Sequence, residues 1–312
     1  MNLQQLEYIV ALDKQKSFSK AAESCFITQA TLSTMVKKLE NELDVILFDR
    51  KSSPIITTEV GRLIINEAQK VLFHSYQLKQ LSSETKGTIQ GELKIGIIPT
   101  IASNLLHRIL PSMLEKYPDL TLSIQEFTTH TIINKLKANE LDVGIISTPL
   151  NIEGINKILM YYEKLLVYGN IKNDTVKFIS TKDLAKEKIW LLEKGNCLTD
   201  QIINLCSLRP KKMNSNLNFF PNSFDSLLNI VDKMKGLTLI PELYYADLPK
   251  PRKNKVIDFY APFPVREVSA VFLRPYAKLR IIETLAEEIK QIIAPILQTS
   301  ALKNSQMKIA KI

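Results

Sequence analysis

The spacing of apolar residues changes its period once along this chain, and that change limits the folds open to it. Residues 1 to 45 read as helices throughout, the first with Leu3, Leu6, Ile9 and Val10 on one face. Ser19 is placed to cap a short second helix, "KAAESC", and after the tight connection "FI" Thr28 is placed to cap a third. On that third helix Leu32, Val36, Leu39 and Leu43 recur in steps of four, three and four, leaving Gln29, Thr31, Ser33, Thr34, Lys37 and Lys38 on its other sides. "LFDRKSSPIITT" reads as two short strands around a turn. Thr58 then opens a helix to about Glu84 whose apolar positions Val60, Ile64, Val71, Leu78 and Leu81 return about every seven residues. A helix of ~27 residues is ~40 Å long and too exposed to stand alone, so pairing with a second copy is its natural use.

Beyond the turn-rich "ETKGTIQG" at 84 to 91 the pattern becomes strand, helix, strand. "ELKIGIIPT" is a buried strand run, "SNLLHRILPSMLEKYP" an interrupted helix, "LTLSIQEF" a strand, "HTIINKLKANE" a helix and "DVGIIS" a strand. The alternation continues through "KIWLLEKG", "LNFFPN", "SFDSLLNIVDKM" and "GLTLIPEL" to a late strand "EVSAVFLRP" and a helix from about Ala277 to Leu297. Such a pattern predicts a parallel sheet wrapped by helices. A chain of 312 residues suits a small domain plus a larger one, or three compact units.

The opening residues lack the basic and apolar regions of a secretory signal, and no apolar run approaches the ~18 residues needed to cross a bilayer, so a soluble cytoplasmic protein without membrane partners is expected. In a reducing cytosol its three cysteines do not form a structural framework. The net charge of +9 invites a nucleic-acid reading, but residues 1 to 90 are nearly neutral; the excess lies in "KPRKNK" and the acid-free "KNSQMKIAKI". DNA binding has to be argued from local geometry.

A short helix, a tight turn and a second helix with a polar outer face is the helix-turn-helix arrangement, and the hairpin after it, with Arg50, Lys51 and Ser52, would form a basic-tipped wing over phosphates. A small helical bundle with a solvated face fits the spacing as well. The wording goes further: Phe18 and "AAE", "TQATLS", "KKLENEL" and "LFDR" closely resemble the winged helix of LysR-type transcriptional regulators. Ala30 and Asp44 stand where that family usually has Pro and Gly. The resemblance covers essentially the whole chain. It implies an N-terminal all-α winged helix-turn-helix at 1–58, a linker or dimerisation helix at 59–87, and a two-lobed α/β effector domain similar to periplasmic binding proteins at 88–312. Lobe I would take about 88–162 and 267–300, lobe II about 163–266. DNA contacts then fall to Gln29, Thr31, Ser33, Thr34, Lys37, Lys38, Arg50, Lys51 and Ser52. The implied partners are double-stranded DNA, RNA polymerase and further copies of the chain in a homodimer or homotetramer, with no catalytic turnover.

"GNCLTDQIINLC" holds Cys197 and Cys206 with eight residues between them. A zinc site is disfavoured, because ligand spacing of two to four residues and a nearby histidine are both missing; no metal or cofactor is expected. Two small buried hydrophobes remain the plain reading, as for Cys25. Against it, Asn196 is placed to cap a helix, which puts Cys197 in a first turn whose amides favour a thiolate. A helix from 197 to 206 separates the two alpha carbons by about 13 Å, whereas a disulfide spans about 4.4 to 6.8 Å, so bonding them requires refolding.

"LLEKGNCLTDQIINLC", "LKIGIIPTI", "EFTTHTIINKL" and "GLTLIP" resemble the peroxide-sensing members of the LysR-type family. Carried over, the resemblance makes Cys197 the thiol that attacks hydrogen peroxide and Cys206 the one that resolves it, with Thr100, Thr129, His130 and Arg266 around the peroxide. Thr199 stands where that branch has an arginine, and Asn218 where it has a histidine; Arg266 would supply the missing positive charge. The alternatives are a LysR-type regulator answering a small metabolite between the lobes, a thiol peroxidase, and a transport-type binding protein.

Overall fold

A computed structural model describes residues 1–50, 52, 54–84, 89–150, 152, 154–169, 178–207, 219–273 and 278–311. They form two compact units, Met1–Thr88 and Ile89–Ile312.

The first unit comprises α1 (Leu3–Gln15), α2 (Phe18–Ser24), α3 (Gln29–Leu43), the two-stranded hairpin β1 (Phe48–Asp49) and β2 (Ile56–Thr57), and α4 (Glu59–Glu84). Asn2 and Gln5 close a reciprocal cap on α1, each side chain accepting from the other's backbone N–H at 2.9 Å. Thr28 caps α3 by accepting from the Thr31 amide at 3.2 Å. The cap position of α2 belongs to Ser17, not Ser19, because Phe18 already enters the helix to pack on the core. Ser19 instead donates from the helix to Gln29 Oε1 at 2.7 Å and ties α2 to α3. Asp44 takes the left-handed conformation, φ 54, without a glycine. The buried stripes of α1 to α3 meet in one core, Leu6, Ile9, Leu12, Ala21, Ala22, Leu32, Val36 and Leu39, with half-buried Cys25 at its edge.

α4 adds Ile65 and Ala68 to that core and presents Val60, Leu63, Val71 and Leu78 to solvent. Gly61 lets it approach closely: a Cβ there would stand 2.3 Å from the Leu47 carbonyl oxygen. Glu40, buried on α3, fastens the wing. Its carboxylate accepts from the amides of Leu47 (2.9 Å) and Phe48 (3.3 Å) and from Arg50 at 2.6 Å.

The second unit is a mixed α/β fold with two cores. Its elements are β3 (Gly91–Ile97), α5 (Pro99–Lys116), β4 (Leu120–Glu126), α6 (Thr129–Lys137), β5 (Val143–Thr148), β6 (Asn156–Gly169), β7 (Phe178–Ile179), α7 (Thr181–Leu184), α8 (Cys197–Cys206), α9 (Phe224–Met234), β8 (Leu237–Pro241), α10 (Glu242–Asp247), α11 (Lys250–Lys253), β9 (Val256–Phe259), β10 (Phe263–Phe272), α12 (Leu279–Ile293) and β11 (Met307–Ile309). Among the described residues the strands run in the order β4-β3-β5-β10-β6-β9-β7, with β8 also on β6 and β11 on β10.

The sheet is not parallel throughout, as the alternating pattern predicts. β3, β4 and β5 are parallel, but β10 runs antiparallel to both β5 and β6 because it returns from late in the chain without a crossover helix. β6 passes from one core to the other within a single strand: Met160 and Tyr161 belong to the first and Leu165 to Tyr168 to the second. α5 is continuous through Pro111, where burial of Ile109 and Met113 on either side outweighs the lost backbone bond. "KIWLLEKG" forms only a single bridge between Ile189 and Leu237, and α12 is shorter than its apolar pattern suggests. The fold class is therefore a helical winged helix-turn-helix followed by a long helix and a two-lobed α/β unit.

Replacing Glu40 by Ala leaves two buried amides and the Arg50 guanidinium without their acceptor. We expect it to lower the unfolding free energy of the first unit by about 2–3 kcal/mol, read from urea titration against the parent chain.

Candidate functional site: a buried thiol in an interlobe cavity

α8 starts where Gly195, at φ +91, turns the chain and Asn196 accepts from the Leu198 amide at 3.1 Å. It stops at Ser207, which is left-handed at φ 48. Leu198 and Ile202 pack into the second core, and Thr199 Oγ1 donates to the Leu192 carbonyl at 3.0 Å. Thr199, which stands where the related sensors have an arginine, is thus a buried anchor of the helix start. The two cysteines are the first and last residues of this ten-residue helix, both reduced and both buried. Cys197 packs with the first core and Cys206 with the second, about 13 Å apart along the axis.

A cavity of about 110 Å³ opens at Cys197. Ile98, Pro99, Thr128 and Thr129 line it from one lobe, and Glu193, Lys194, Gly195, Asn196, Cys197 and Asn222 from the other. It has room for several water-sized molecules. Thr129 Oγ1 is buried there without a hydrogen-bond partner, yet near enough to the thiol to favour its ionised form.

Behind the thiol lies Arg266. It stands directly opposite Glu163 across the antiparallel pair β10 and β6, so both side chains leave the same face. Arg266 Nε donates to Glu163 Oε1 at 2.6 Å, and neither side chain is more than 1% exposed. The other guanidinium nitrogens donate to Thr100 Oγ1 at 3.2 Å and to the Thr100 carbonyl at 3.0 Å. Glu163 Oε2 accepts from the Leu243 amide at 3.1 Å.

These surroundings set the thiols apart. Burial pushes the Cys197 pKa above its ordinary value and outweighs the Arg266 charge, the Thr129 hydroxyl and the Leu198 amide, which pull it down; Asp200 pushes it further up. The Leu198 amide at the start of α8 does pull the pKa down, as a helix N-terminus should, but burial outweighs it. Burial alone pushes Cys206 up to about 11. Only Cys197 has groups that stabilise its anion.

Of the residues expected around peroxide, Thr129 lines the cavity with Cys197. Thr100 is held by Arg266 beneath the site and does not line it. His130 is exposed on α6 with its ring against Asn134 at 3.3 Å, because one step along a helix rotates it away from the direction of Thr129. Asn218 lies outside the described residues. Sequence reasoning missed Glu163, although a single acid in the apolar run "YYEKLLVYG" marks it. Among the described residues no cluster of metal-ligating side chains forms, and no helix is long and apolar enough to cross a membrane.

On the first unit, Gln29, Thr31, Thr34, Lys37 and Lys38 lie exposed along α3, and Ser33 is half-buried. Arg50 is engaged within the domain: it pairs with Glu40, reaches Ser33 Oγ at 3.4 Å and lies 5.3 Å over the Phe18 ring. Ser52 donates to Asp49 at 3.0 Å, and Lys51 lies outside the described residues.

Two family profiles match this chain: the "Bacterial regulatory helix-turn-helix protein, lysR family" over residues 3–62, and the "LysR substrate binding domain" over residues 86–293. The chain belongs to the LysR family of transcriptional regulators. It is 33% identical over 305 residues to a hydrogen peroxide-inducible genes activator of Pectobacterium carotovorum, covering 96% of this chain and 99% of the relative. It is also 33% identical over 296 residues to the DNA-binding transcriptional dual regulator OxyR of Escherichia coli, covering 93% and 95%. A full-length OxyR variant from Pseudomonas aeruginosa superposes with a TM-score of 0.76 at 30% identity, over 94% of this chain and 98% of that one.

Because its pKa is raised, Cys197 gains thiolate about tenfold per pH unit up to and beyond pH 9. Alkylation by iodoacetamide, mapped by peptide mass, is expected to follow that slope without levelling below pH 9. Glu163→Ala leaves a buried guanidinium unpaired and is expected to cost about 3–5 kcal/mol of unfolding free energy.

Proposed function

We propose that this chain is a peroxide-responsive transcriptional regulator switched by a Cys197–Cys206 disulfide. One observation carries the reading: two buried, reduced thiols sit at the first and last positions of one helix, each seated in a different core, and the first opens onto a cavity. The name of the Pectobacterium relative, a hydrogen peroxide-inducible genes activator, supports it.

The chemistry follows from the surroundings. Hydrogen peroxide entering the cavity meets the Thr129 hydroxyl beside the thiol. The Cys197 thiolate attacks one peroxide oxygen, the O–O bond breaks, and the departing hydroxide takes up a proton to leave as water. The Arg266 charge favours the thiolate that starts the step. Cys197 is left as a sulfenic acid. The Cys206 sulfur then attacks the Cys197 sulfur, an S–S bond forms, and the hydroxyl leaves as a second water, so two electrons pass from two thiols to one peroxide. Closing the pair from about 13 Å to under 7 Å requires α8 to unwind, which separates the groups it packs between the cores. A metabolite in the cleft is less well supported, since the cavity of about 110 Å³ is small and one wall is a thiol.

For DNA, α3 offers Gln29, Thr31, Thr34, Lys37 and Lys38 to the major groove, with the wing braced beside it by Arg50. The exposed Val60, Leu63, Val71 and Leu78 of α4 fit pairing with a second copy.

Substoichiometric peroxide should lower the mass of the peptide spanning Cys197 and Cys206 by two hydrogens, and Cys206→Ser should instead gain one oxygen. Thr129→Val should slow the step roughly tenfold, the cost of one hydrogen bond to a charged centre. Absence of the disulfide at peroxide levels that oxidise known sensors overturns the reading. Lys37→Ala should weaken DNA binding across sequences and reduce the salt slope by about 1.

A further inference from the structure

The segment Met307–Lys311 lies against the helix that carries both cysteines. β11 adds in parallel to the start of β10, with Met307, Lys308 and Ile309 opposite Phe263, Pro264 and Val265. The Ala310 amide then donates to the Val265 carbonyl at 2.8 Å, and Ala310, 2% exposed, joins the second core. Its carbonyl accepts from Gln201 Nε2 at 2.9 Å, and the Lys311 carbonyl from Asn204 Nδ2 at 3.4 Å. Gln201 and Asn204 sit three residues apart on α8, on one side of it, between the two thiols.

Gln201 is fully buried, and its Nε2 also reaches Ser147 Oγ, on β5 of the other lobe, at 3.0 Å. A backbone carbonyl only accepts, so the Ala310 bond fixes which end of the amide faces the segment. Both amide protons are used, and Oε1 is left buried with no partner among the described residues. That unmet acceptor offsets part of the grip, as befits a contact that has to be given up.

We propose that residues 307–311 are a redox-sensitive strap that holds α8 helical while the thiols are reduced and loses its hold when they join. The inference rests on the disulfide reading above for its second half. A ten-residue helix is not stable on its own and depends on contacts of this kind. Gln201 and Asn204 face the strap together only while the chain between Cys197 and Cys206 is helical. Drawing the two sulfurs together destroys that register, so both side-chain bonds to the strap are lost in one event. The strap pairs with β10 one residue before Arg266, so its release also frees the strand edge beside the guanidinium that faces Cys197.

Hydrogen exchange with mass spectrometry on the full chain tests this in two arms. In the first, the Lys308 to Ala310 backbone should exchange slowly in the reduced protein and roughly fivefold or more faster in the disulfide form; equal protection in both states overturns the strap. In the second, without peroxide, deletion of residues 307–312 and the substitution Ala310→Arg, which cannot be buried, should each raise exchange across 197–206 in the reduced protein roughly fivefold. Unchanged exchange there overturns the strap whatever peroxide does. Absence of any disulfide, with the second arm positive, would sink the peroxide reading and leave the reduced-state strap standing. If both variants unfold the lobe, the comparison of the two states of the unaltered chain decides.

Discussion

The Glu163–Arg266 ion pair is where the effector unit is joined. The two residues face each other on the two long strands that run between the cores, and between them they use nearly every direction open to a buried charge. Glu163 spends its second oxygen on the Leu243 amide, while Arg266 spends its outer nitrogens on Thr100. A pair so fully enclosed adds little net stability compared with apolar residues of the same volume, because its attraction is largely consumed by desolvation. What it does fix is register. Neither strand can slide or separate without stranding a charge, so the lobes are held in one arrangement around the thiol the pair influences.

Set into that frame, α8 is the element that the proposed disulfide would have to unwind. Cys197 is plugged into one core and Cys206 into the other, and the helix between them holds their alpha carbons about 13 Å apart, well beyond the span of a disulfide. Burial also keeps both thiols protonated, which lowers reactivity toward casual oxidants and alkylating agents. Arg266, Thr129 and the Leu198 amide act on Cys197 alone, so the preference for that sulfur is electrostatic and survives even though the absolute pKa is high. The arrangement trades resting reactivity for selectivity.

Much of this was legible in the sequence, for reasons that differ by element. The winged helix-turn-helix was readable because a polar face on α3 and a short α2 depend on local spacing, and α8 was readable because Asn196 and the apolar "IINL" define it locally. The strand direction of β10 was not, since antiparallel return depends on a partner more than a hundred residues away, and the same holds for β11. Ser19 and His130 show the finer limit. Each sits one or two positions from the residue that does the expected job, and helical rotation of about 100° per residue turns such an offset into a different neighbour. The balance of burial against a helix start at Cys197 is likewise invisible until the surrounding core is known.

The unwinding of α8 also bears on how such a switch would be reset. A disulfide that forms without disturbing the fold is hard to reduce, because its product is as well packed as its precursor. In the proposed disulfide state at least one sulfur would leave a core and the Gln201 and Asn204 contacts would break, a cost of about 3 kcal/mol for one small apolar group and two hydrogen bonds. For a two-electron couple about 1.4 kcal/mol corresponds to about 30 mV, so that cost raises the potential by about 60 mV. On that proposal, the packing that keeps the thiols apart is the same packing that would make their disulfide easier to reduce. On the same proposal, a more firmly packed helix would raise the potential of the pair further and a looser one would lower it.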